Sequence, residues 1–199
     1  MTRLVDRGAV VASYVGSGMA LTIGVSFLLV IPIEPILWLL ALPSGAMIGY
    51  YANQRSDRRA GPWRRILVNA VFAGLVTGLT IVALMLAVKA LFFFADDGYR
   101  DPGLGGRITI VGDDGRPRPC AVGAGCVYER YVDANRGPAL AAAGIHDPAS
   151  FGGFYWSQQA TTAVMVLGLT LAGGLLGGLA YGLTRPKAAA RATLGRAEA

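Results

Sequence analysis

Charged residues are scarce in this sequence: Asp, Glu, Lys and Arg together account for 15% of its 199 residues. A water-soluble domain usually carries about 25% charged residues, because its surface must face water. Hydrophobic residues account for 54%, and the mean hydropathy is +0.50. This composition excludes a disordered chain and an ordinary soluble enzyme, and it favours a protein embedded in a membrane.

Side chains that commonly carry catalysis or bind metals are also scarce. The chain has one histidine, His146, and two cysteines, Cys120 and Cys126. A zinc site drawn from these residues and an aspartate matches no familiar zinc spacing, and a disulfide-bonded pair cannot bind zinc as thiolate. The sequence also has no glycine-rich phosphate loop, nucleophile elbow or paired-carboxylate motif. We therefore expect a protein that is not an enzyme and that holds no metal or cofactor.

The apolar residues are concentrated in four stretches that contain no Asp, Glu, Lys or Arg. A helix needs about 20 apolar residues to cross the hydrocarbon core, and in lipid its backbone must be hydrogen-bonded internally. The sequence therefore predicts an all-α membrane protein built as a bundle of four transmembrane helices. The predicted helices lie near Ala9–Ile31, Pro35–Tyr51, Ile66–Phe93 and Gln158–Thr184.

The second of these stretches is interrupted near its middle by Pro43, Ser44 and Gly45. Proline removes one backbone donor and kinks a helix, although membrane helices tolerate it. Two interpretations are open: a kinked helix that crosses the membrane, and a re-entrant segment that borders a pore or cavity. The distribution of basic residues favours the kinked helix.

Arginine and lysine are concentrated in the N-terminus, in the connection 52–65 and in the tail 185–199. Short cytoplasmic segments carry such an excess. Four crossings place all three segments, and therefore both termini, on the cytoplasmic side of the plasma membrane, whereas a re-entrant second segment would separate 52–65 from the N-terminus. These arginines also suit anionic lipid headgroups, and the chain has no motif for binding nucleic acid. The arginines of the connection are Arg55, Arg58, Arg59, Arg64 and Arg65.

Aromatic residues and one lysine lie where the predicted helices end on the outer side. Phe92–Phe94 end the third helix, and Phe154–Trp156 precede the fourth. Such rings favour the membrane interface because they are apolar with a polar edge or tip. Two roles are open for Lys89: an anchor whose ammonium reaches the interface, and a buried functional cation.

Small residues recur four positions apart in three of the predicted helices. This spacing places them on one helix face, where another backbone can approach closely. Such a face can serve packing among the four helices, or contact with another subunit or a second copy, and the sequence leaves both open. The glycines are Gly16 and Gly24 in the first helix, Gly74 and Gly78 in the third, and Gly173, Gly174, Gly177, Gly178 and Gly182 in the fourth.

The long connection between the third and fourth helices, 95–157, predicts a small extracytoplasmic domain. Arg107–Val111 and Cys126–Val132 alternate like strands, and the turn signal Gly112–Gly115 lies between them, which together predict a β-hairpin. Ala139–Ala143 is expected to add a short helix. The remainder, through Gly153, is expected to be irregular.

Both cysteines lie in this outer connection with five residues between them. Outside the cytoplasm, two cysteines in a small segment favour a structural disulfide, here Cys120–Cys126. The alternative is thiol–disulfide exchange, as in four-helix membrane oxidoreductases that pass electrons to quinone. The chain lacks the Cys-x-x-Cys motif and the second cysteine pair of such enzymes, so the structural role is favoured.

The sequence favours a non-catalytic, multi-pass membrane protein that acts as an accessory or scaffold subunit of a larger membrane assembly. It would contact partners through the outer loop and the glycine-rich helix faces. The alternative is a small carrier or channel for a neutral or apolar solute, with its path beside Pro43–Gly45 and the glycine face of the fourth helix. The predicted organisation is helices one to three in 1–94, the outer domain in 95–157, the fourth helix in 158–184 and a basic tail in 185–199.

Overall fold

A computed structural model describes residues 5–29, 34–56, 61–95, 120 and 122–184. The regular structure in these ranges is entirely helical, with no strand. The described residues fall into two compact units: unit 1 runs to Met85 and resumes at Ala163, and unit 2 is Leu86–Thr162. The helices are α1 Arg7–Leu29, α2 Glu34–Gln54, α3 Trp63–Ala95, α4 Ala124–Tyr131, α5 Gly137–Ala142 and α6 Pro148–Thr184.

Two of these helices, α3 and α6, are long and apolar enough to cross a membrane. They have 33 and 37 residues. At about 1.5 Å per residue, each is roughly 50 Å or longer, compared with about 30 Å for the hydrocarbon core of a bilayer. The all-helical expectation and the presence of apolar spanning candidates are thus confirmed for the described residues.

The start of α6 differs from the prediction, because the helix begins at Pro148 rather than near Gln158. The carboxylate of Asp147 caps it, accepting hydrogen bonds from the backbone N–H groups of Ala149 at 2.8 Å and Ser150 at 2.9 Å. Aspartate before a helix and proline at its first position are both typical N-terminal signals. The expectation that the chain is irregular through Gly153 is therefore wrong from Pro148 onward.

The predicted β-hairpin is wrong in its second strand, because Cys126–Val132 lies mainly in α4. The alternating residues also satisfy helical spacing: Val127 and Tyr131, four positions apart, both belong to the packed cluster of unit 2. The other strand, Arg107–Val111, and the turn Gly112–Gly115 lie outside the described residues, as does the tail 185–199.

The short helix predicted at Ala139–Ala143 is present as α5, with Pro138 in its first turn. It ends where Gly144 adopts φ 75°, a left-handed conformation that glycine reaches without strain. Two hydrogen bonds close this end: Gly144 N–H donates to the Ala141 carbonyl at 3.0 Å, and Ile145 N–H donates to the Leu140 carbonyl at 2.9 Å. This is a Schellman motif, and it fixes the chain direction after α5.

The surface of unit 1 is unusually apolar for a soluble protein, and several polar side chains lie in its interior. Large apolar side chains are exposed on its helices, for example Leu39 at 74% and Leu183 at 78%. Polar side chains are buried beside alanines and other apolar residues, and the Ser13, Thr77 and Thr170 hydroxyls donate to carbonyls one turn earlier in their own helices. Soluble domains bury their large apolar side chains, whereas membrane helices commonly pack through small and polar residues.

Candidate functional site

The glycines of α6 lie directly against the backbone of α2. A Cβ atom added at Gly177 would overlap the Ala46 carbonyl oxygen and lie 2.8 Å from the Ala46 carbonyl carbon. One turn earlier, a Cβ at Gly173 would overlap the Leu42 carbonyl oxygen and lie 3.0 Å from the Ala46 nitrogen. Because the obstructing atoms are backbone, no side-chain rotation could make room.

The adjacent glycines of α6 face α3. A Cβ atom at Gly174 would lie 3.0 Å from the Ala70 carbonyl oxygen and 3.4 Å from the Gly74 Cα. A Cβ at Gly178 would lie 2.7 Å from the Ala70 Cβ. The glycine pairs of α6 thus bring it close to two helices at once, and we call this contact the glycine seam. Its members are Gly45 and Gly49 of α2, Gly74 and Gly78 of α3, and Gly173, Gly174, Gly177 and Gly178 of α6.

The remaining glycines of the predicted packing faces also meet residues of this chain. A Cβ atom at Gly24 would lie 3.2 Å from a methyl of Leu84, so α1 packs on α3 at this position. A hydroxyl pair joins the same helices, with Ser17 Oγ and Thr80 Oγ1 3.3 Å apart. The corresponding neighbours are Thr77 for Gly16 and the indole ring of Trp63 for Gly182.

The predicted pore or kink residues Pro43, Ser44 and Gly45 lie within α2, which continues through the proline to Gln54. Ser44 is buried, and a Cβ atom at Gly45 would overlap the carbonyl oxygen of Thr170 in α6. The α2 and α6 backbones therefore touch at the position where a solute path beside these residues would run.

A polar cluster that the sequence reasoning missed joins α1, the end of α2 and the start of α3. The Asp6 carboxylate accepts hydrogen bonds on Oδ2 from Ser56 Oγ at 2.7 Å and from Asn69 Nδ2 at 3.2 Å. Asp6 N–H donates to Asn69 Oδ1 at 3.1 Å, and Arg65 Nε lies 3.9 Å from Asp6 Oδ1. We call these four residues the Asp6 junction. The sequence did offer one signal for this cluster: Asp6 is the only acidic residue in the basic N-terminal segment, and it comes just before the first charge-free stretch.

A second polar contact ties α2 to α3 near this junction. Asn53, 2% exposed, donates through Nδ2 to the Gly49 carbonyl at 3.0 Å and to the Ile66 carbonyl at 3.1 Å. Burying an amide is favourable only when its hydrogen-bonding groups are satisfied. Asn53 therefore supplies a specific polar link between two helices that otherwise meet through apolar side chains and small residues.

The predicted basic residues Arg55, Arg64 and Arg65 lie at the same end of the unit 1 helices, whereas Arg58 and Arg59 lie outside the described residues. Arg55 and Arg64 are exposed. The Arg55 guanidinium lies over the ring of Tyr51, 5.6 Å from its centroid, and Arg55 Nε donates to the Tyr51 hydroxyl at 3.1 Å. These contacts orient the guanidinium through its Nε atom and the face that lies over the ring.

In unit 2, Cys120 and Cys126 stand at disulfide-bonding distance, with their Cα atoms 5.1 Å apart. Both cysteines are buried, and the bond ties the chain before α4 to its first turn. After α4 the chain kinks at Ala134 and Asn135, and Asn135 has a φ of 58°. Asparagine is among the few non-glycine residues that adopt this left-handed conformation readily.

The core of unit 2 is rich in aromatic rings. Phe151 is fully buried, and its ring centroid lies 5.6 Å from that of Tyr128 and 5.1 Å from that of Tyr131 in α4. Phe93 of α3 and Tyr155 of α6 have centroids 5.0 Å apart. Aromatic pairs at these separations contribute about 0.5–1.5 kcal/mol beyond the area they bury.

Unit 2 also holds polar residues that could carry chemistry. His146 is exposed, and the described part of the chain contains no group of three His, Cys, Asp or Glu residues arranged to hold a metal ion. Gln159 is 2% exposed, and its Oε1 atom has no hydrogen-bond partner. It lies one helical turn after Tyr155, and Lys89 lies one turn before Phe93, so the antiparallel helices place these two polar residues at neighbouring levels.

Comparison of the chain with protein families, curated proteins and solved structures gives no match.

Proposed function

We propose that the protein is a non-catalytic, four-span protein of the plasma membrane that serves as an accessory or scaffold subunit of a membrane assembly. Its partner contact is the outer, disulfide-pinned unit 2. The observation that carries the membrane part is the apolar surface of unit 1, where large aliphatic side chains are exposed while Ser, Thr and Asn side chains are buried.

The proposal of four crossings is supported by the packing of α1 and α2 on the two longer helices. The α1 and α2 helices have 23 and 21 residues, so each is long enough for a core of about 30 Å. Gly45 and Gly49 of α2 meet α6 at successive turns, so a bilayer that surrounds α6 also surrounds α2.

The orientation with both termini in the cytoplasm is supported by the position of the basic residues. A Cβ atom at Gly8 would lie 2.5 Å from the carbonyl carbon of Arg55, so the start of α1 and the end of α2 lie at one end of unit 1. This arrangement fits a crossing α2 and the positive-inside rule better than a re-entrant segment.

The scaffold role is favoured over the carrier because the glycine seam is filled by the chain's own helices. At Gly45, Gly173 and Gly177 the backbones of α2 and α6 are in direct contact, which argues against a solute path between these two helices. This contact also occupies the α6 glycine face that a second subunit would need. We therefore expect a partner to contact exposed apolar residues of unit 2, such as Val122 and Val132.

Topology is tested by labelling single cysteines on intact cells, in a background where Cys120 and Cys126 are replaced by serine. With a membrane-impermeant maleimide, Ser150→Cys should label and Gln54→Cys should label only after permeabilisation. Labelling of Gln54→Cys in intact cells would contradict the proposed orientation. The same result for Gln54→Cys and Ser150→Cys in intact cells would contradict an odd number of crossings between them, and with it the four-span topology.

The scaffold role is tested by purification in mild detergent with quantitative mass spectrometry. A stoichiometric partner should be retained by Gly18→Ala, because a methyl group there meets nothing within 4 Å. The partner should be lost from Val132→Glu, which charges an exposed apolar position of unit 2. A monomer without a stoichiometric partner would overturn the proposal, and solute uptake by reconstituted liposomes would support the carrier instead.

A further inference from the structure

The end of unit 1 that carries the Asp6 junction has more positive than negative charge. Arg7, Arg55 and Arg64 are exposed there, and each is the sequence neighbour of a junction residue: Asp6, Ser56 and Arg65 respectively. The side chains at the junction therefore anchor three backbone positions from which exposed arginines project.

The single acid of the junction is already engaged. Asp6 accepts two hydrogen bonds on Oδ2, from Ser56 and Asn69, and Arg65 Nε lies 3.9 Å from its Oδ1. Within the described residues, Arg7, Arg55 and Arg64 form no ion pair. Within the described ranges their charge is thus open to an anionic ligand.

The Arg55 side chain is held in a defined orientation. Its Nε donates to the Tyr51 hydroxyl at 3.1 Å while its plane lies over the Tyr51 ring. This leaves the terminal nitrogens for an external acceptor. Two parallel N–H groups of a guanidinium match two oxygens of a phosphate, and preorganisation reduces the entropy lost on binding.

We propose that Arg7, Arg55 and Arg64, held around the Asp6 junction, bind the phosphate of an anionic phospholipid headgroup. A negatively charged lipid is expected because three exposed arginines are sequence neighbours of the junction, whose one carboxylate is already hydrogen-bonded. A lipid rather than a soluble phosphate is expected because the exposed faces of the same helices are aliphatic. This inference rests on the membrane location in the proposed function.

The experiment measures binding of fluorescent phosphatidylglycerol to the purified full-length protein in neutral detergent. Phosphatidylcholine carries the same phosphate without net negative charge, and inorganic phosphate serves as a soluble competitor. The test variant is the pair Arg55→Gln and Arg64→Gln. The matched control is Arg136→Gln in unit 2, an exposed arginine whose guanidinium also lies over a tyrosine, 5.3 Å from the Tyr131 centroid.

Each arginine near an anionic lipid is expected to change affinity about 5-fold, so the double variant should bind about 25-fold more weakly. Arg7→Gln alone should weaken binding about 5-fold, and Arg136→Gln should leave it unchanged. Equal losses for the control and the double variant, equal binding of phosphatidylcholine, or displacement by millimolar phosphate would each overturn the inference.

The two proposals fail in different ways. A chain that alkaline carbonate extracts from membranes would contradict the membrane location itself. A chain that stays in membranes and has no preference for phosphatidylglycerol would contradict only the headgroup site. Unchanged circular dichroism and melting of the arginine variants would show that a loss of binding is not a loss of folding.

Discussion

The glycine seam predicts that the same substitution at two glycines of α6 has different effects on stability. Gly177→Ala places a methyl group against the Ala46 carbonyl, whereas Gly168→Ala places one where no atom lies within 4 Å. Gly168 is exposed and Gly177 is buried. The pair therefore separates the cost of close helix contact from the effect of alanine on the helix itself.

The expected magnitude follows from two opposing terms. Alanine is favoured over glycine in a helix interior by up to about 1 kcal/mol. Overpacking a close contact costs about 1–3 kcal/mol, and here the obstructing atoms are the backbone of α2 and cannot rotate away. We expect Gly168→Ala to be neutral or stabilising, and Gly177→Ala to be less stable than Gly168→Ala by about 2 kcal/mol.

The measurement is reversible unfolding in mixed micelles, followed by far-ultraviolet circular dichroism at matched protein concentration. Gly173→Ala, which meets the Leu42 carbonyl, should behave like Gly177→Ala. Gly18→Ala in α1, where a methyl group also meets nothing within 4 Å, should behave like Gly168→Ala. Equal stability of the four variants would refute the close approach of α6 to α2.

Four further predictions concern polar positions and the disulfide. Asp6→Ala should destabilise the protein by about 2 kcal/mol in the same unfolding assay, because it removes the acceptor of two hydrogen bonds; an unchanged stability would contradict the Asp6 junction. Cys120→Ser should expose unit 2 to limited proteolysis, since a short closed loop contributes roughly 2–3 kcal/mol at best; unchanged protease resistance would contradict this role. The pKa of Asp147 lies below its ordinary value of 3.8, because the backbone N–H and hydroxyl of Ser150 donate to its carboxylate. Its contribution should be complete at pH values above 3.8 and be lost as the pH falls through the lower folded pKa, and amide exchange at the start of α6 should show this loss in the wild type but not in Asp147→Ala. Gln159→Leu should raise stability by about 1 kcal/mol, because it removes a buried amide oxygen without a partner; lower stability would indicate that this amide is satisfied.

Helix positions could be predicted from the sequence wherever a charge-free stretch was long. The interior of α3 follows directly from Ile66–Val88, which contains no charged residue. The early start of α6 could also have been predicted, because Asp147 and Pro148 form a helix N-terminal signal. The Gly152–Gly153 pair lies in the first turns of α6, although a helix interior ordinarily disfavours glycine.

The error at Cys126–Val132 arose because a segment of seven residues can fit both the two-residue period of a strand and the 3.6-residue period of a helix. Cysteine, tyrosine, arginine and valine alternate with other residues as in a strand, while Val127 and Tyr131 share a face of a helix. Contacts with Phe151 of α6 decide between the two, since they require the helical spacing. Such contacts join distant parts of the chain, so the local pattern alone could not settle the structure.

The sequence could not predict which helices pack against the glycines of α6, for a different reason. Four-residue spacing showed that Gly173 and Gly177 share a face, but not which helix approaches that face. The partner is determined by the three-dimensional arrangement in which the Ala46 and Leu42 carbonyls meet these glycines. The Asp6 junction was missed similarly, because it gathers residues from three separate segments.

The seam also bears on how unit 1 could move. A carrier must open a path repeatedly, and side chains that change rotamer allow this at low cost. Where α2 and α6 meet at Gly45 and Gly177, the atoms in contact are backbone, so a path there would require displacement of a whole helix. Polar links at Asp6 and Asn53 oppose such a displacement, because each joins α2 to a neighbouring element. Backbone contacts and terminal polar links therefore both oppose separation of α2 from its neighbours.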